Sequence, residues 1–518
     1  MKTIRKIYDK RVFLTAFLAT IIIHGELIFN KISFHDDLDT VFDGWRNSIR
    51  HGRWMYRLLS LIPEKLAGME STPVAIGTIV AACIGLMACL FFEIFQIKKY
   101  HIQFALIIIF CAIPAVAGDF GYTGYAGYDF IGKLFCVISA YLVCKGINGK
   151  NNVMLYVLAA LALACSIGEY QCHVTFFLTI MLVYFTQYVL VNQVTWKEFW
   201  AKAVYYVGTA IAGLLLYLGI LQISLKISGK ELTSYAGMDS YGVVGIPEYI
   251  ERFIYVYKDF FNINSVADYS MIPFEWDGWR LLVLLALLAL VVGTIVITVM
   301  RKEYQKTIQF AIASALLPLG LNFNFVMYGV DATHSLHMYQ WVLLFVYLFV
   351  LVEYIVQNVP HMFARENLLQ TGLKWMQGMV LAVALIFGIL YVRYDNMCYV
   401  RLEMRQEAAI RYFTTLITRI ESTEGYKDEY PVAYINEFEK KNDVDRIYTE
   451  YDYPVTNPFN AEIVNAYNWY RFMEYWCGFD PDENDPADYD GNPVVEEMPA
   501  YPDAESIQVI DEVVVVKF

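Results

Sequence analysis

The chain has 518 residues, 58% of them hydrophobic and 18% charged, with a net charge of −13. Soluble domains run nearer a quarter charged and about half apolar, so most of this chain is solvated by lipid. Apolar runs recur along most of its length, which excludes a soluble enzyme held by one anchor.

Eleven runs of about 17–25 apolar residues are expected as transmembrane helices: roughly 12–33, 73–95, 102–117, 129–147, 152–168, 172–192, 203–225, 280–300, 307–326, 336–357 and 373–394. The first is too long for a cleaved signal peptide and carries on into the protein. Alternate connectors carry the basic residues: Lys2–Arg5–Lys6–Lys10–Arg11, Lys98–Lys99, Lys145–Lys150, Lys197–Lys202, Arg301–Lys302–Lys306 and Arg365–Lys374. The opposite set includes GDFGYTGYAGYD (118–129), SIGEYQ (166–171) and NFVMYGVDATHS (324–335), none with a lysine or arginine. The positive-inside rule then places the N-terminus in the cytoplasm. After an odd number of spans the C-terminal part is outside. Cys83, Cys89, Cys111, Cys136, Cys144 and Cys165 fall in apolar runs without CxxC spacing, and read as small buried hydrophobes.

After the first span comes the densest charge in the membrane part, FHDDLDTVFDGWRNSIRHGRW (34–54). Residues 34–72 hold five lysines and arginines against six acids. That strains the positive-inside rule for an outer loop, because acids count little in it; function explains it better. On one helix Arg46, Arg50, Arg53 and Arg57 would share an arc of about 60°, beside Phe42, Trp45 and Ile49, as on a helix lying along the membrane surface. Gly52 is the natural place for that helix to break. Two readings stand for the arginines: contact with phospholipid headgroups, or a grip on a lipid-linked phosphate or diphosphate. Asp39 and Asp43 read as helix caps. Asp36 and Asp37 are adjacent carboxylates at a membrane interface, costly unless paired, solvated or functional. One of them could take a proton from an attacking hydroxyl while the arginines stabilise a departing phosphate.

Further along, His24 and Glu26 lie inside the first span, and intramembrane ionisable groups are functional candidates. Glu93 is expected to reach the interface or pair with Lys98 or Lys99. The outer loop 226–279 carries an amphipathic helical pattern, IPEYIERFIYVYKDFF. Asp331, His334 and His337 read as polar groups near a cavity; a divalent metal there is conceivable but unsupported. From residue 395 there are 27 acidic and 10 basic residues, a net −17, which leaves the rest about +4. That tail argues against a nucleic-acid partner. It reads as a small α/β or α+β extracytoplasmic domain over 395–518, with a helical stretch near 401–421 and strands in PVAYINEF and SIQVIDEVVVVKF. Asp482–Asp490 lacks EF-hand spacing, so calcium is unsupported. YNWYRFMEYW (467–476) reads as core. Cys398 and Cys477 could pair if the tail is exported.

An acidic pair just after the first span, then a surface helix and Gly52–Arg53–Trp54, resembles the type II Gtr glucosyltransferases, bacterial serotype-converting enzymes of the multi-span GT-C architecture. Tyr128–Asp129 stands where that family often has Tyr-Arg-Phe-Asp, and Tyr170–Gln171 matches its Tyr-Gln at the outer start of the sixth span. No arginine precedes Asp129 here, and 118–128 is unusually rich in Gly and Tyr. The resemblance implies a catalytic domain over 1–394 in the bacterial cytoplasmic membrane. Its donor would be a polyprenyl-phosphate sugar and its acceptor a cell-envelope glycan. A flippase and a donor-synthesising membrane enzyme would be its partners. It further implies that Asp36 or Asp37 deprotonates the acceptor, that Arg46, Arg50 and Arg53 hold the donor phosphate, and that Trp54, Tyr128, Asp129, Tyr170 and Gln171 contact sugar.

Two other classes remain in view. A secondary transporter would show inverted repeats and mid-span charges, whereas the polar residues here gather at the outer ends. A non-catalytic envelope-assembly protein would equally suit the outer loop 226–279.

Overall fold

The computed structural model describes residues 9–32, 37–38, 44–67, 72–148, 153–234, 243–263, 270–274, 278–330, 332–362, 366–436, 464 and 469–518. It divides into two compact units, one of residues 1–30, 45–398 and 455–458, the other of 31–44, 399–454 and 459–518. The expected boundary at 395 falls inside one helix, Glu366–Glu421, which contributes to both.

The first unit is helical. Among the described residues nine helices are long and apolar enough to cross a membrane, so the chain is a multi-pass membrane protein. The count of eleven is not reached, for two physical reasons. The first span is broken at His24 into α1 (Lys10–Ile23) and α2 (Gly25–Phe29). There the imidazole Nε2 donates to the Cys111 carbonyl at 2.7 Å and the ring stacks on Phe120. The fifth expected span is a helix of only 17 residues, Val153–Glu169.

In order follow a 3-10 segment (Gly44–His51), α3 (Trp54–Ala67), α4 (Pro73–Ile94), α5 (Tyr100–Ala112), α6 (Pro114–Gly121), α7 (Ala126–Asn148), α8 (Val153–Glu169), α9 (His173–Val191) and α10 (Trp196–Ser228). Then come α11 (Ile246–Phe261), α12 (Gly278–Met300), α13 (Tyr304–Ala315), α14 (Leu317–Tyr328), a 3-10 segment (Ser335–Trp341), α15 (Val342–Asn358) and α16 (Glu366–Glu421). Start and stop signals are local. Pro73 and Pro114 sit in the first turns of α4 and α6. A Thr195–Glu198 capping box opens α10, and left-handed Gly229 closes it. The helix expected in the outer loop 226–279 is α11. By contrast 118–128, expected as an outer loop, is mostly helical and buried.

Lipid tails give helices no hydrophobic drive toward one another, so close packing and internal hydrogen bonds hold the bundle. A Cβ on Gly77 would lie 2.5 Å from Ile28, and one on Gly85 2.8 Å from Phe13; those glycines let the first two helices approach α4. A polar set fixes the segment 335–341. The Trp341 indole donates to Asn322 Oδ1 at 3.0 Å, at a kink in α14. Gln340 donates to the Leu321 carbonyl at 2.8 Å, and the Asn324 amide to the His337 carbonyl. Asn322 also donates to Asp259 Oδ2, and Arg280 to the Asp259 carbonyl, which ties α11 and α12 to the same place.

The second unit contains a three-stranded sheet, β1 (Val432–Ile435), β2 (Ile507–Ile510) and β3 (Val513–Lys517), in the order β1-β3-β2. β1 runs parallel to β3 and β2 antiparallel to it. The two-residue β2–β3 turn holds Asp511 and Glu512, both at positive φ (51° and 65°), the twist a tight hairpin requires. Trp469, Phe472 and Met473 are buried there, and Trp469 packs on Phe413 and Tyr434. In the described part of the aromatic stretch Trp469 and Phe472 are core, while Tyr470, Tyr475 and Trp476 are half-buried. In the acidic run 482–490, Asp485 caps the turn Pro486–Tyr489. Cys398 and Cys477 are not joined by a disulfide.

Candidate active site

Four breaks between elements of the first unit converge: Gly52 before α3, the Tyr122–Tyr125 turn before α7, Tyr170–Cys172 between α8 and α9, and the segment 335–341. Between them they gather the densest set of buried ionisable groups among the described residues.

At its floor, α7 carries Asp129 and Lys133 one helical turn apart, and α6 supplies Asp119. The Lys133 ammonium donates to Asp119 Oδ2 at 2.5 Å and to Asp129 Oδ2; no side chain of the three is more than 2% exposed. The last residue of α8 is Glu169, the first of α9 His173. His173 Nε2 lies 2.9 Å from Asp129 Oδ1, and Nδ1 3.0 Å from the Ser166 carbonyl and 3.7 Å from Glu169 Oε2. Both ring nitrogens thus face acceptors. Tyr125 adds its hydroxyl to Asp129 at 3.2 Å. Helix α7 comes this close because of Gly132: a Cβ there would stand 2.6 Å from both Glu169 Oε2 and His173 Cε1. Gly132→Ala is expected to cost about 1–3 kcal/mol, read as a lower melting temperature of the purified protein. An unchanged melting temperature would show that the floor can yield.

The rim is half-buried. The Arg53 guanidinium lies 4.1 Å from the Tyr170 ring centroid and 5.5 Å from that of Tyr125. Tyr170 Oη is 2.6 Å from His337 Nε2, and Tyr328 stacks on the His337 ring. Trp54 is buried against Gly168, whose Cβ would sit 2.4 Å from its indole. Nearby His51 is held down to about 4, first by burial and then by the neighbouring Arg53 and Arg50. The positive charge of that stretch at neutral pH therefore comes from arginine.

Among the described residues, several buried polar atoms here have no hydrogen-bond partner: both oxygens of Glu169, Asp119 Oδ1, Arg53 Nε, Trp54 Nε1, Gln171 Oε1 and the hydroxyls of Tyr328 and Ser335. Native proteins rarely orphan such groups. So many at one place mark a surface built for a polar ligand, with carboxylate acceptors on the floor and the Arg53 and Trp54 donors at the rim.

The residues expected from sequence divide as follows. Arg53, Trp54, Asp129, Tyr170 and Gln171 come together. Tyr128 is 4% exposed and packs edge-on against Tyr56 with Tyr125 beside it. Gln171 donates to the His51 carbonyl at 2.9 Å and to Tyr217 at 3.2 Å. The single arginine arc does not form: Gly52, at φ 74°, separates the 3-10 segment from α3, leaving Arg50 exposed and Arg53 half-buried. Asp36, Asp39 and Asp43 lie outside the described residues, as does the side chain of Arg46; Asp37 is buried, in the second unit. Glu93 pairs with Lys145 at 3.6 Å, while Lys99 pairs with Glu353 at 3.0 Å. Asp119, Lys133, Glu169 and His173 were not anticipated. The signal for them was an acid and a lysine four apart inside an expected span, one turn on one helix.

Asp129, Glu169 and His173 offer ligand atoms within 4.8 Å of one another. A metal fits them poorly, because Lys133 and His173 already engage both oxygens of Asp129. At His334 and His337 a ligand set is no better: His337 uses one nitrogen on Tyr170, and the other accepts the His334 backbone N–H at 3.0 Å. Asp331 lies outside the described residues. A separate cavity of about 700 Å³ opens at the other ends of these helices, bordered by Glu93, Lys98, Lys145 and Glu353; none of the cluster's residues lines it.

The model of one protein family, described as Glucosyl transferase GtrII, matches residues 25–352, which include every member of the cluster. No curated protein and no solved structure matches the chain.

Proposed function

The chain belongs to the GtrII glucosyl transferase family, a membrane glycosyltransferase by that membership, and we propose that it moves glucose from a polyprenyl-phosphate donor to a cell-envelope glycan or lipid-linked acceptor. In this reading the architecture is GT-C, the membrane is the bacterial cytoplasmic membrane, and the reaction faces outward with the N-terminus inside. A donor already flipped across the bilayer needs no nucleotide-binding loop. A flippase and a donor-synthesising enzyme act upstream.

The observation that carries the proposal is the set of orphaned polar atoms around Arg53 and Glu169. A sugar brings hydroxyl donors for the floor carboxylates, and a phosphate brings acceptor oxygens for the rim. The reaction is a single displacement at the anomeric carbon. The acceptor oxygen–carbon bond forms, the carbon–oxygen bond to phosphate breaks, the acceptor's proton passes to a carboxylate, and the lipid phosphate departs with the bonding pair. Arg53 stabilises that departing charge, as preorganised donors do; Arg46 and Arg50 belong to the same donor-binding stretch. Trp54, Tyr128, Asp129, Tyr170 and Gln171 form the sugar-binding wall, Asp129 through its hold on Lys133 and His173. The base is a carboxylate, proposed as Asp36 or Asp37.

The test is transfer by purified protein from radiolabelled polyprenyl-phosphate glucose to an envelope-glycan extract, for wild type, Asp36→Asn, Asp37→Asn and Glu169→Gln. Loss of transfer in one Asp→Asn variant at unchanged abundance identifies the base. Full activity in both, with loss in Glu169→Gln, moves the base to the buried floor. No transfer by wild type from any donor sugar would overturn the proposal.

A further inference from the structure

Hydrogen-bond directions at His337 fix what Tyr170 offers a ligand. The backbone N–H of His334 donates to His337 Nδ1 at 3.0 Å, so that nitrogen is an acceptor and carries no proton. A neutral imidazole then bears its hydrogen on Nε2, and Nε2 faces Tyr170 Oη at 2.6 Å. His337 therefore donates to the tyrosine oxygen. The tyrosine's own O–H hydrogen points elsewhere, and among the described residues no acceptor takes it.

Backbone and ring contacts hold His337 in this role. Its backbone carbonyl accepts from Asn324, whose Oδ1 accepts from Thr175 at 2.6 Å. Tyr328 stacks on the ring, and the ring itself is 5% exposed. Tyr170 meanwhile lies under Arg53. The rim thus presents two donors side by side, one of them cationic. The floor presents carboxylate oxygens, Asp119 Oδ1 without a hydrogen-bond partner and those of Glu169 with His173 3.7 Å away. A group with acceptors only and a negative charge suits the rim, and a group rich in hydroxyl donors suits the floor.

We propose that Tyr170 donates a hydrogen bond to the phosphate of the donor lipid beside Arg53, and that His337 is the positioning residue that makes it a donor. This rests on the glycosyltransferase reading above and gives Tyr170 a role other than stacking on sugar. A hydrogen bond fed by a second donor is polarised and strengthened, and a charged acceptor strengthens it again.

The experiment measures binding of a free polyprenyl phosphate, together with the KM values of donor and acceptor, for wild type, Tyr170→Phe, His337→Phe, the double variant and His337→Gln. Tyr170→Phe is expected to weaken polyprenyl-phosphate binding and raise the donor KM about tenfold, ~1.4 kcal/mol, with the acceptor KM unchanged. His337→Phe should lose about as much, and the double variant no more than either single change, since the pair acts as one unit. Glutamine keeps an amide donor near the Nε2 position, so His337→Gln should recover part of the loss. A purely structural histidine would lower the melting temperature without separating donor from acceptor KM. Wild type that binds polyprenyl phosphate while Tyr170→Phe and His337→Phe bind it equally well overturns this inference and leaves the parent reading intact. Losses that add in the double variant, or that fall on the acceptor KM, overturn it too. Wild type that does not bind polyprenyl phosphate overturns both.

Discussion

Lys133→Met is expected to abolish accumulation of folded protein. Its ammonium is the cation bonded to both Asp119 and Asp129, and all three side chains are sealed from solvent. Removing one partner of a buried ion pair costs about 3–5 kcal/mol, because the other charge stays behind uncompensated. Here two carboxylates are left, beside a third at Glu169. A cost of that size is a large share of the whole stability of an ordinary domain, about 5–15 kcal/mol. The measurement is monodisperse yield and melting temperature in detergent. The companion variant Lys133→Met with Asp119→Asn and Asp129→Asn removes the stranded charges and should restore much of the yield. Lys133→Met that melts with wild type would show that the two acids are neutral without it.

Arg53→Ala should leave a folded protein and lower transfer about 10²–10³-fold, the usual loss when one preorganised donor to developing charge is removed. The contrast with Lys133 follows from position. Arg53 is at the half-buried rim, stacked on Tyr170 and Tyr125, and among the described residues no carboxylate forms an ion pair with it. Its loss breaks no ion pair among the described residues. Arg53→Lys should recover only part of the activity, since lysine keeps the charge but lacks the planar fork that meets phosphate with two bonds. The decisive quantities are kcat and the donor KM with melting temperature as control. Full transfer by Arg53→Ala would displace the phosphate from this rim.

Several parts of this architecture were legible in the sequence. Long apolar runs mark most of the spans because nothing else satisfies a backbone in lipid. The strands at 432–435 and 507–517 showed in their β-branched runs, and α11 in its amphipathic spacing. Gly52 was readable as a break because glycine tolerates conformations a helix interior does not use, and it adopts φ 74°. The break at His24 was not readable, since it depends on a carbonyl 87 residues away, at Cys111. Within the site, Arg53, Asp129, Tyr170 and Gln171 were visible as polar or aromatic residues at span ends. Glu169 lies in the outer stretch SIGEYQ, yet its importance comes from Gly132 on another helix, which periodicity cannot pair with it. Lys133 was hidden by its place inside an apolar run, where a lone lysine gives no sign of which acids it meets. The pairing of Glu93 with Lys145 rather than its near neighbours has the same cause: sequence distance is a poor guide to which helix end lies alongside.

The spacing of Asp129 and Lys133 also bears on how the protein is made. Each charge alone would oppose entry of its segment into the bilayer by about 2.5–3.5 kcal/mol. One turn apart on one helix, they can leave the translocon already bonded to each other, as a neutral unit carried within a single hairpin of nascent chain. Asp119 belongs to another segment and has no such companion, while Glu169 has only His173, across the break between α8 and α9. Asp119 meets Lys133 only where α6 packs beside α7, so the cluster is complete only once its separate segments have come together.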